Sequence, residues 1–293
     1  MAATGVALAP RRSVTQTAIE MIQRGRLGAQ CNLDMVRADE RWGETPFESD
    51  VVARMRRTRR HPRPTQFDYL HVRRLVDDLS SVLARVGREA KDVLDVFCGT
   101  RPYDDLLPPT ASVTGLDIPG NPYGVADVVS DEFLPFPNES FDLVMCIQGF
   151  YYLPEPHRGA AEIARVLRPG GYTVISVPLV WEYDRTVLEN RFTGPSLARV
   201  FEDWEDVAII ENGGRAVSWA TLTGLIASMG QWHVPRRLHL RRASTPLFAG
   251  LYLLVNGTGV LLDAAERRFA RSSLTLPMNL LLVARRPPRA PNA

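Results

Sequence analysis

Cysteine is scarce in this chain of 293 residues: there are three, Cys31, Cys98 and Cys146. An odd number, with no C-x-x-C pair and no histidines at ligand spacing, argues against a disulfide scaffold and a structural zinc, and fits a reducing compartment. Lysine is scarcer still. Lys91 is the only one among 35 basic residues, which with 22 prolines reflects a GC-rich coding sequence more than chemistry. No secretory leader is expected, since two arginines follow a short, weakly apolar opening stretch, and a cytoplasmic location is expected with it. Neither G-x-G-x-x-G nor a P-loop occurs, which leaves a pyrophosphate without its usual glycine-rich cradle.

What is present is ordinary in bulk and uneven in detail. Apolar residues make up 45% and charged residues 23%, which excludes a disordered or collagen-like chain. The formal charge of +2 hides a pattern. Residues 1–90 carry +5, residues 91–180 carry −7 and residues 181–293 carry +4. The acidic middle third therefore needs its own explanation.

Residues 14–26 fit one amphipathic helix, with Ile19 and Ile22 on its apolar side. Residues 54–63, R-M-R-R-T-R-R-H-P-R, read first as a solvated surface turn. A patch for a phosphate-bearing substrate, an anionic membrane or nucleic acid is the alternative. No aromatics interleave with these arginines, so stacking on bases is not supported and nucleic acid is not the expected partner. Residues 66–86 form a helical stripe of Leu70, Leu75, Leu79, Val82 and Leu83. Strands are expected at 93–97, 112–118, 140–147, 172–177 and 278–284, with a helix at 157–167 stopped by Pro169-Gly170-Gly171. Near-continuous apolar strands alternating with helices imply an α/β fold with a parallel sheet covered on both faces. A further helix is expected at 219–229. The uncharged run 245–262 sits at the lower edge of a membrane span, but Pro246, Asn256, Gly257 and Gly259 weaken that reading. A buried or homodimer-forming helix comes first, then a peripheral membrane or lipid contact, then a true span.

The chemistry concentrates in the acidic third. V-L-D-V-F-C-G at 93–99 is strand, acid and glycine turn, the place where open parallel sheets bind ligands. Asp117 ends the next strand, 18 residues beyond Gly99, which suits a carboxylate accepting from two ribose hydroxyls. Asp131-Glu132-Phe133 lies in the following loop, in reach of a base edge. A ligand with a ribose and a cation but no phosphates would account for these acids. For Phe133 a place in the core is an equal alternative.

V-L-D-V-F-C-G-T, T-G-L-D-I, D-E-F-L-P-F-P-N-E-S-F-D-L-V and R-V-L-R-P-G-G, in this order between Val93 and Pro178, together resemble the class I S-adenosylmethionine-dependent methyltransferases, and among them the methyltransferase type 11 family. The resemblance covers about 30% of the chain. It implies a Rossmann-like sheet of seven strands, one of them reversed, with helical N-terminal and C-terminal additions. Residues 278–284 would be the reversed strand, beside 206–211. It divides the chain into an extension at 1–65, partly helical, a methyltransferase domain at 66–285 with a helical insertion at about 213–275, and a disordered tail at 286–293. It implies S-adenosyl-L-methionine as cofactor. Asp95 and Gly99 would face its methionine part and Asp117 its ribose. Asp131 and Glu132 would lie by the adenine, with Phe133 or Ile118 packed on the ring. Gln148 would face the transferable methyl. Phe97 and Arg101 depart from the family's glycine-rich turn, standing where glycine is common, and Phe97 thereby joins the residues expected at the cofactor.

The implied activity is methylation of a small molecule, a natural product or a sugar- or lipid-linked acceptor, with oxygen as the expected target. Transfer from a sulfonium is an in-line displacement that needs mainly alignment, and a base only if the acceptor must lose a proton. Candidates for that base are Tyr152, His157 and His233, although His157 also fits a helix start and His233 a surface or core position. Tyr151, Trp181, Tyr183 and Arg191 are expected on the acceptor side. Arg191 would pair an acceptor carboxylate or phosphate, or else Glu189 or Glu182. Two other readings stand beside this one: a cofactor-dependent cyclisation or elimination without methyl transfer, and a non-catalytic module docking to membranes.

Overall fold

The computed structural model describes residues 47–130, 133–183, 188–233, 241–269 and 274–288. The helix expected at 14–26, and the last five residues of the expected tail, lie outside them. The elements run α1 (Ser49–Arg60), α2 (Tyr69–Val86), β1 (Asp92–Val96), β2 (Ser112–Asp117), β3 (Val128–Val129), β4 (Phe141–Ile147), α3 (Pro156–Val166), β5 (Leu167–Pro178), α4 (Gly194–Val200), β6 (Glu205–Asn212), α5 (Arg215–His233), α6 (Arg241–Phe269) and β7 (Asn279–Arg285). The strands form one sheet in the order β3-β2-β1-β4-β5-β7-β6. All neighbours pair in parallel except β7, which runs antiparallel to both β5 and β6. The expected reversed strand is thus the observed one.

Alternation along each strand sorts the side chains onto two faces. Val93, Leu143, Met145, Val174, Leu281 and Val283 meet Val72, Val76, Leu79, Val82 and Leu83 of α2. Leu94, Val144, Cys146, Ile175, Leu280 and Leu282 meet Ile163 and Val166 of α3 and Leu197 of α4. Both faces are dry, which is why the strands read as near-continuous apolar runs. Strand order reverses at β1, whose neighbours are β2 on one side and β4 on the other, so the ligand crevice opens beyond the carboxyl ends of β1 and β4.

Two expectations are corrected. The basic run is no turn. Residues 49–60 form α1, with Val52 and Met55 buried beneath the arginines. Arg56 Nε donates to Thr100 O at 2.7 Å, and Arg60 Nε donates to Asp105 at 2.9 Å, so the run fastens the turn after β1. The helix ahead of Pro169-Gly170-Gly171 ends at Val166, and the strand starts at once. Gly170 N donates to Arg286 O and Arg286 N to Gly171 O, which extends the sheet through the segment expected only to stop the helix.

The uncharged run lies in α6. It is a helix, but only one stripe of α6 is buried: Tyr252, Val255, Asn256, Gly259 and Asp263, at helical spacing. Leu247, Leu254 and Leu261 stand 67 to 73% exposed on the other side. The residues that weakened a membrane reading have structural duties. Asn256 Nδ2 donates to Pro64 O and Gln66 O, both at 2.8 Å, pinning the α1–α2 connection. A Cβ on Gly259 would stand 2.6 Å from Leu70 and 2.7 Å from Ala220, so glycine permits α6 to close on α2 and α5.

Candidate active site at the strand ends

The turn after β1 carries three left-handed residues in five: Phe97 (φ 56°), Gly99 (54°) and Arg101 (53°). Only glycine adopts this region freely, so the two departures from the glycine-rich pattern are held there by contacts. Phe97 stacks on Phe133 with centroids 6.3 Å apart and packs on Gly149, where an added Cβ would meet its ring. Arg101 Nε donates to Asp104 at 2.8 Å, Nη1 to Asp127 at 2.5 Å and Nη2 to Val113 O at 2.9 Å. An arginine in a glycine position thus ties the turn to the edge of β2. At Gly99 a Cβ would meet nothing within 4 Å, which leaves open space over its backbone.

Asp117 closes β2 beside this turn. Its Oδ2 accepts from Gly99 N at 2.8 Å and its Oδ1 from Ile118 N at 2.9 Å. Burial pushes the Asp117 carboxyl up to about 6, against the pull of those two backbone donors. Asp95, one strand over and opposite Gly115 of β2, is buried too. Burial raises it well above the usual carboxylate range, with Asp104 and Asp117 adding to the rise and Arg101 opposing it. Two acids held out of water at adjacent strand ends make a site suited to a cation and to hydroxyl donors. Ile118 is buried beside Asp117, and Phe133 is half-buried on Phe97. Asp131 and Glu132 lie outside the described residues.

Gln148 opens the loop after β4 with φ 62°, in reach of the same strand ends. Its Nε2 donates to Ser176 Oγ of β5 at 2.6 Å and to Asn279 Oδ1 of β7 at 3.2 Å. Next come the paired tyrosines. Tyr151 is buried, its hydroxyl 2.6 Å from that of Tyr152. Burial and the neighbouring Tyr152 raise the Tyr151 phenol far above its ordinary value, so it stays protonated. Arg191 lies over the Tyr151 ring at 5.5 Å. Its charge is met by Glu189 at 2.6 Å, and Nη2 donates to Glu182 O. Arg191 thus makes the ion pair with Glu189, one of its expected partners. Trp181 stacks on the buried ring of His71 at 5.1 Å.

The structure gathers Asp95, Phe97, Gly99, Asp117, Ile118 and Gln148 at one edge of the sheet, with Phe133 on Phe97 and the two tyrosines following Gln148. Two expected residues stand apart. His157 is exposed in the first turn of α3, and Tyr183 is 67% exposed. His233 is the last residue of α5, and its side chain lies outside the described set. His71, Ser176 and Asn279 went unnoticed in the sequence. For His71 a signal existed: it falls on the stripe of Leu75, Leu79 and Val82, where a polar residue in an apolar row asks for a partner.

Comparison with known proteins now bears on this edge. Residues 94–175 match the family described as "Methyltransferase domain". Over that segment the chain is similar to a methyltransferase domain. The observed sheet, seven strands with one reversed, is the one that the resemblance in the sequence implies. The chain is 38% identical over 105 residues to a phthiotriol/phenolphthiotriol dimycocerosates methyltransferase of Mycobacterium tuberculosis, covering 30% of this chain and 38% of that protein. It is 36% identical over 106 residues to a fatty-acid O-methyltransferase of Mycolicibacterium smegmatis, covering 31% and 39%. The match thus spans under half the length of these relatives. Among solved structures, the [4+2]-cyclase SpnF aligns over 73% of this chain and 82% of its own, at 18% identity and a TM-score of 0.46.

Proposed function

We propose that the protein transfers a methyl group from S-adenosyl-L-methionine to an oxygen of a small apolar acceptor, a lipid or natural product. The observation that carries the cofactor half is the pair of buried acids, Asp95 and Asp117, flanking the open backbone of Gly99. The Asp117 carboxylate keeps lone pairs for ribose hydroxyls after meeting its two backbone donors. The cofactor supplies a sulfonium-bound methyl, and its cationic groups would offset the cost of ionised Asp95. Phe133 and Ile118 offer flat or branched apolar surface to the adenine. Gln148, fixed by Ser176 and Asn279, stands at the start of the acceptor side. What the chain then does is align donor and acceptor and exclude water.

An apolar acceptor is supported by α6, the one described helix long and apolar enough to cross a membrane by length and composition. Its exposed leucines face away from the sheet, and arginines stand at both ends, Arg241-Arg242 and Arg267-Arg268. That combination favours lying on an anionic lipid surface, from which an acceptor is drawn. The two relatives' names, both those of lipid methyltransferases, agree with this choice. Incubating the protein with methyl-deuterated S-adenosyl-L-methionine and a lipid extract should yield a product carrying one labelled methyl group. A product rearranged without the label would instead mean that the cofactor does other work.

A further inference from the structure

The basic run at 54–63 has a second side. At roughly 100° per residue, the arginines of α1 divide between two faces of the helix. Val52 and Met55 are buried on the inner face, where Arg56 and Arg60 bond to Thr100 O and Asp105. Arg54 and Arg57, with His61 one turn on, point the other way, and all three are exposed, as is Arg63 beyond the helix. Arg57, His61 and Arg63 form no ion pair among the described residues. Fastening the turn after β1 uses only the inner face, so the outer charges have no task in the fold.

A bare apolar surface adjoins this charge. Asn256 of α6 donates to Pro64 O and Gln66 O, directly after Arg63, so the end of the run meets the middle of α6. Helix α5 lies beside α6 on α2: Ala220 of α5 and Leu70 of α2 both approach Gly259 of α6, and Gly224 of α5 closes on Phe67 O. Away from these contacts both helices are apolar. On α5 the exposed residues are Trp219, Ile226 and Met229, at helical spacing, with Ile226 69% exposed; on α6 they are the leucines already named. An apolar patch of this width marks a contact with protein or membrane. A nucleic acid would use the arginines and leave the apolar side bare. A second copy would cover the apolar side and leave the arginines idle. An anionic bilayer satisfies both.

We propose that the outer face of α1 is a headgroup-binding site for anionic phospholipid, and that with α5 and α6 it forms one bilayer-docking face. This deepens the lipid-surface reading of α6 above and rests on it. Lipid phosphates accept from the guanidinium groups, while the apolar sides of α5 and α6 sink to the acyl boundary. Because Arg56 of the same helix holds Thr100, next to Gly99, the docked face adjoins the cofactor turn, and an apolar acceptor leaves the bilayer near the strand ends.

The test sediments the full chain with vesicles of phosphatidylcholine alone and of an equimolar mixture with phosphatidylglycerol. The mixture should bind far better, and about 1 M salt, which screens charges within about 3 Å, should weaken that binding. An arginine near an anionic surface is worth about fivefold in affinity. Arg57→Gln with Arg63→Gln should therefore weaken binding about 25-fold. S-adenosylhomocysteine affinity and melting temperature should stay unchanged, since neither side chain bonds Thr100 or Asp105. Ile226→Glu should weaken vesicle binding as well. Equal binding to both vesicle types, or binding that survives the arginine pair or Ile226→Glu, would overturn the docking face. So would a single-stranded RNA bound more tightly than the vesicles, or a dimer in sedimentation velocity that Ile226→Glu dissolves. Failure of the lipid-acceptor reading shows separately, as no labelled product from lipid dispersed in detergent, where docking is not needed.

Discussion

At Asp117, burial and hydrogen bonding act in opposite directions, and burial prevails. With a folded-state value near 6 against 3.8 when unfolded, the free protein takes up a proton here that the unfolded chain releases. This residue's contribution to stability therefore rises as pH falls from about 6 toward 4. Binding has the opposite sign, because ribose hydroxyls need the ionised form. At pH 5 about one molecule in ten has Asp117 ionised. Calorimetry should thus find S-adenosylhomocysteine roughly tenfold weaker at pH 5 than at pH 7.5, and Asp117→Asn should flatten that step. An unchanged affinity would remove Asp117 from the ribose site. The two acids were legible in the sequence because Asp95 interrupts one apolar strand and Asp117 ends the next, where a charge has no reason to be unless it is used. His71 was not, because the sequence does not say what a histidine on a buried stripe touches. Arg101 was legible only as a departure; its three partners come from Asp104, Asp127 and Val113, brought together by the fold.

Among the elements, α6 offers a clean comparison between two of its glycines. A Cβ at Gly259 would press on Ala220 and Leu70, whereas one at Gly257 meets nothing within 4 Å. Overpacking costs about 1–3 kcal/mol, while replacing a helical glycine by alanine returns up to about 1 kcal/mol. Denaturant unfolding should show Gly257→Ala stabilised by a few tenths to about 1 kcal/mol. Gly259→Ala should be destabilised by about 1–2 kcal/mol after that offset. Equal effects would mean that α6 does not close on α2 as described. Most strands and helices were legible because their periods are strong; β1, β2, β4 and β7 fall within a residue or two of expectation. Two-residue β3 carries no period to read. Helix α1 was hidden by its arginines, whose apolar partners Val52 and Met55 lie outside the run that drew notice or are lost within it.

For the whole molecule, the split of charge gains a physical meaning. The acidic third holds the sheet edge where the buried carboxylates stand. The basic parts supply α1, which clasps the turn after β1, and α6, whose apolar face is bare. If α6 lies on lipid, the protein should sediment with phosphatidylglycerol vesicles, and Leu254→Glu with Leu261→Glu should abolish this. Both side chains are exposed, so the melting temperature should stay within about 2 °C, as for a surface change of ±0.5 kcal/mol. Vesicles left unbound, with a dimer in sedimentation velocity, would assign that face to a second copy. Orientation of this kind is not legible in a sequence, because an apolar helix reads alike whether protein, lipid or another copy covers it.

The central claim is that the strand-end acids hold S-adenosyl-L-methionine. It is met most directly by the melting temperature of the unaltered protein and of Asp117→Ala, each with and without S-adenosylhomocysteine. At a ligand concentration a hundredfold above Kd, the unaltered protein should gain about 2.7 kcal/mol, a rise of several degrees, and Asp117→Ala should lose most of that gain. A melting temperature that the ligand leaves unmoved in the unaltered protein, or moves equally in both, would contradict the account.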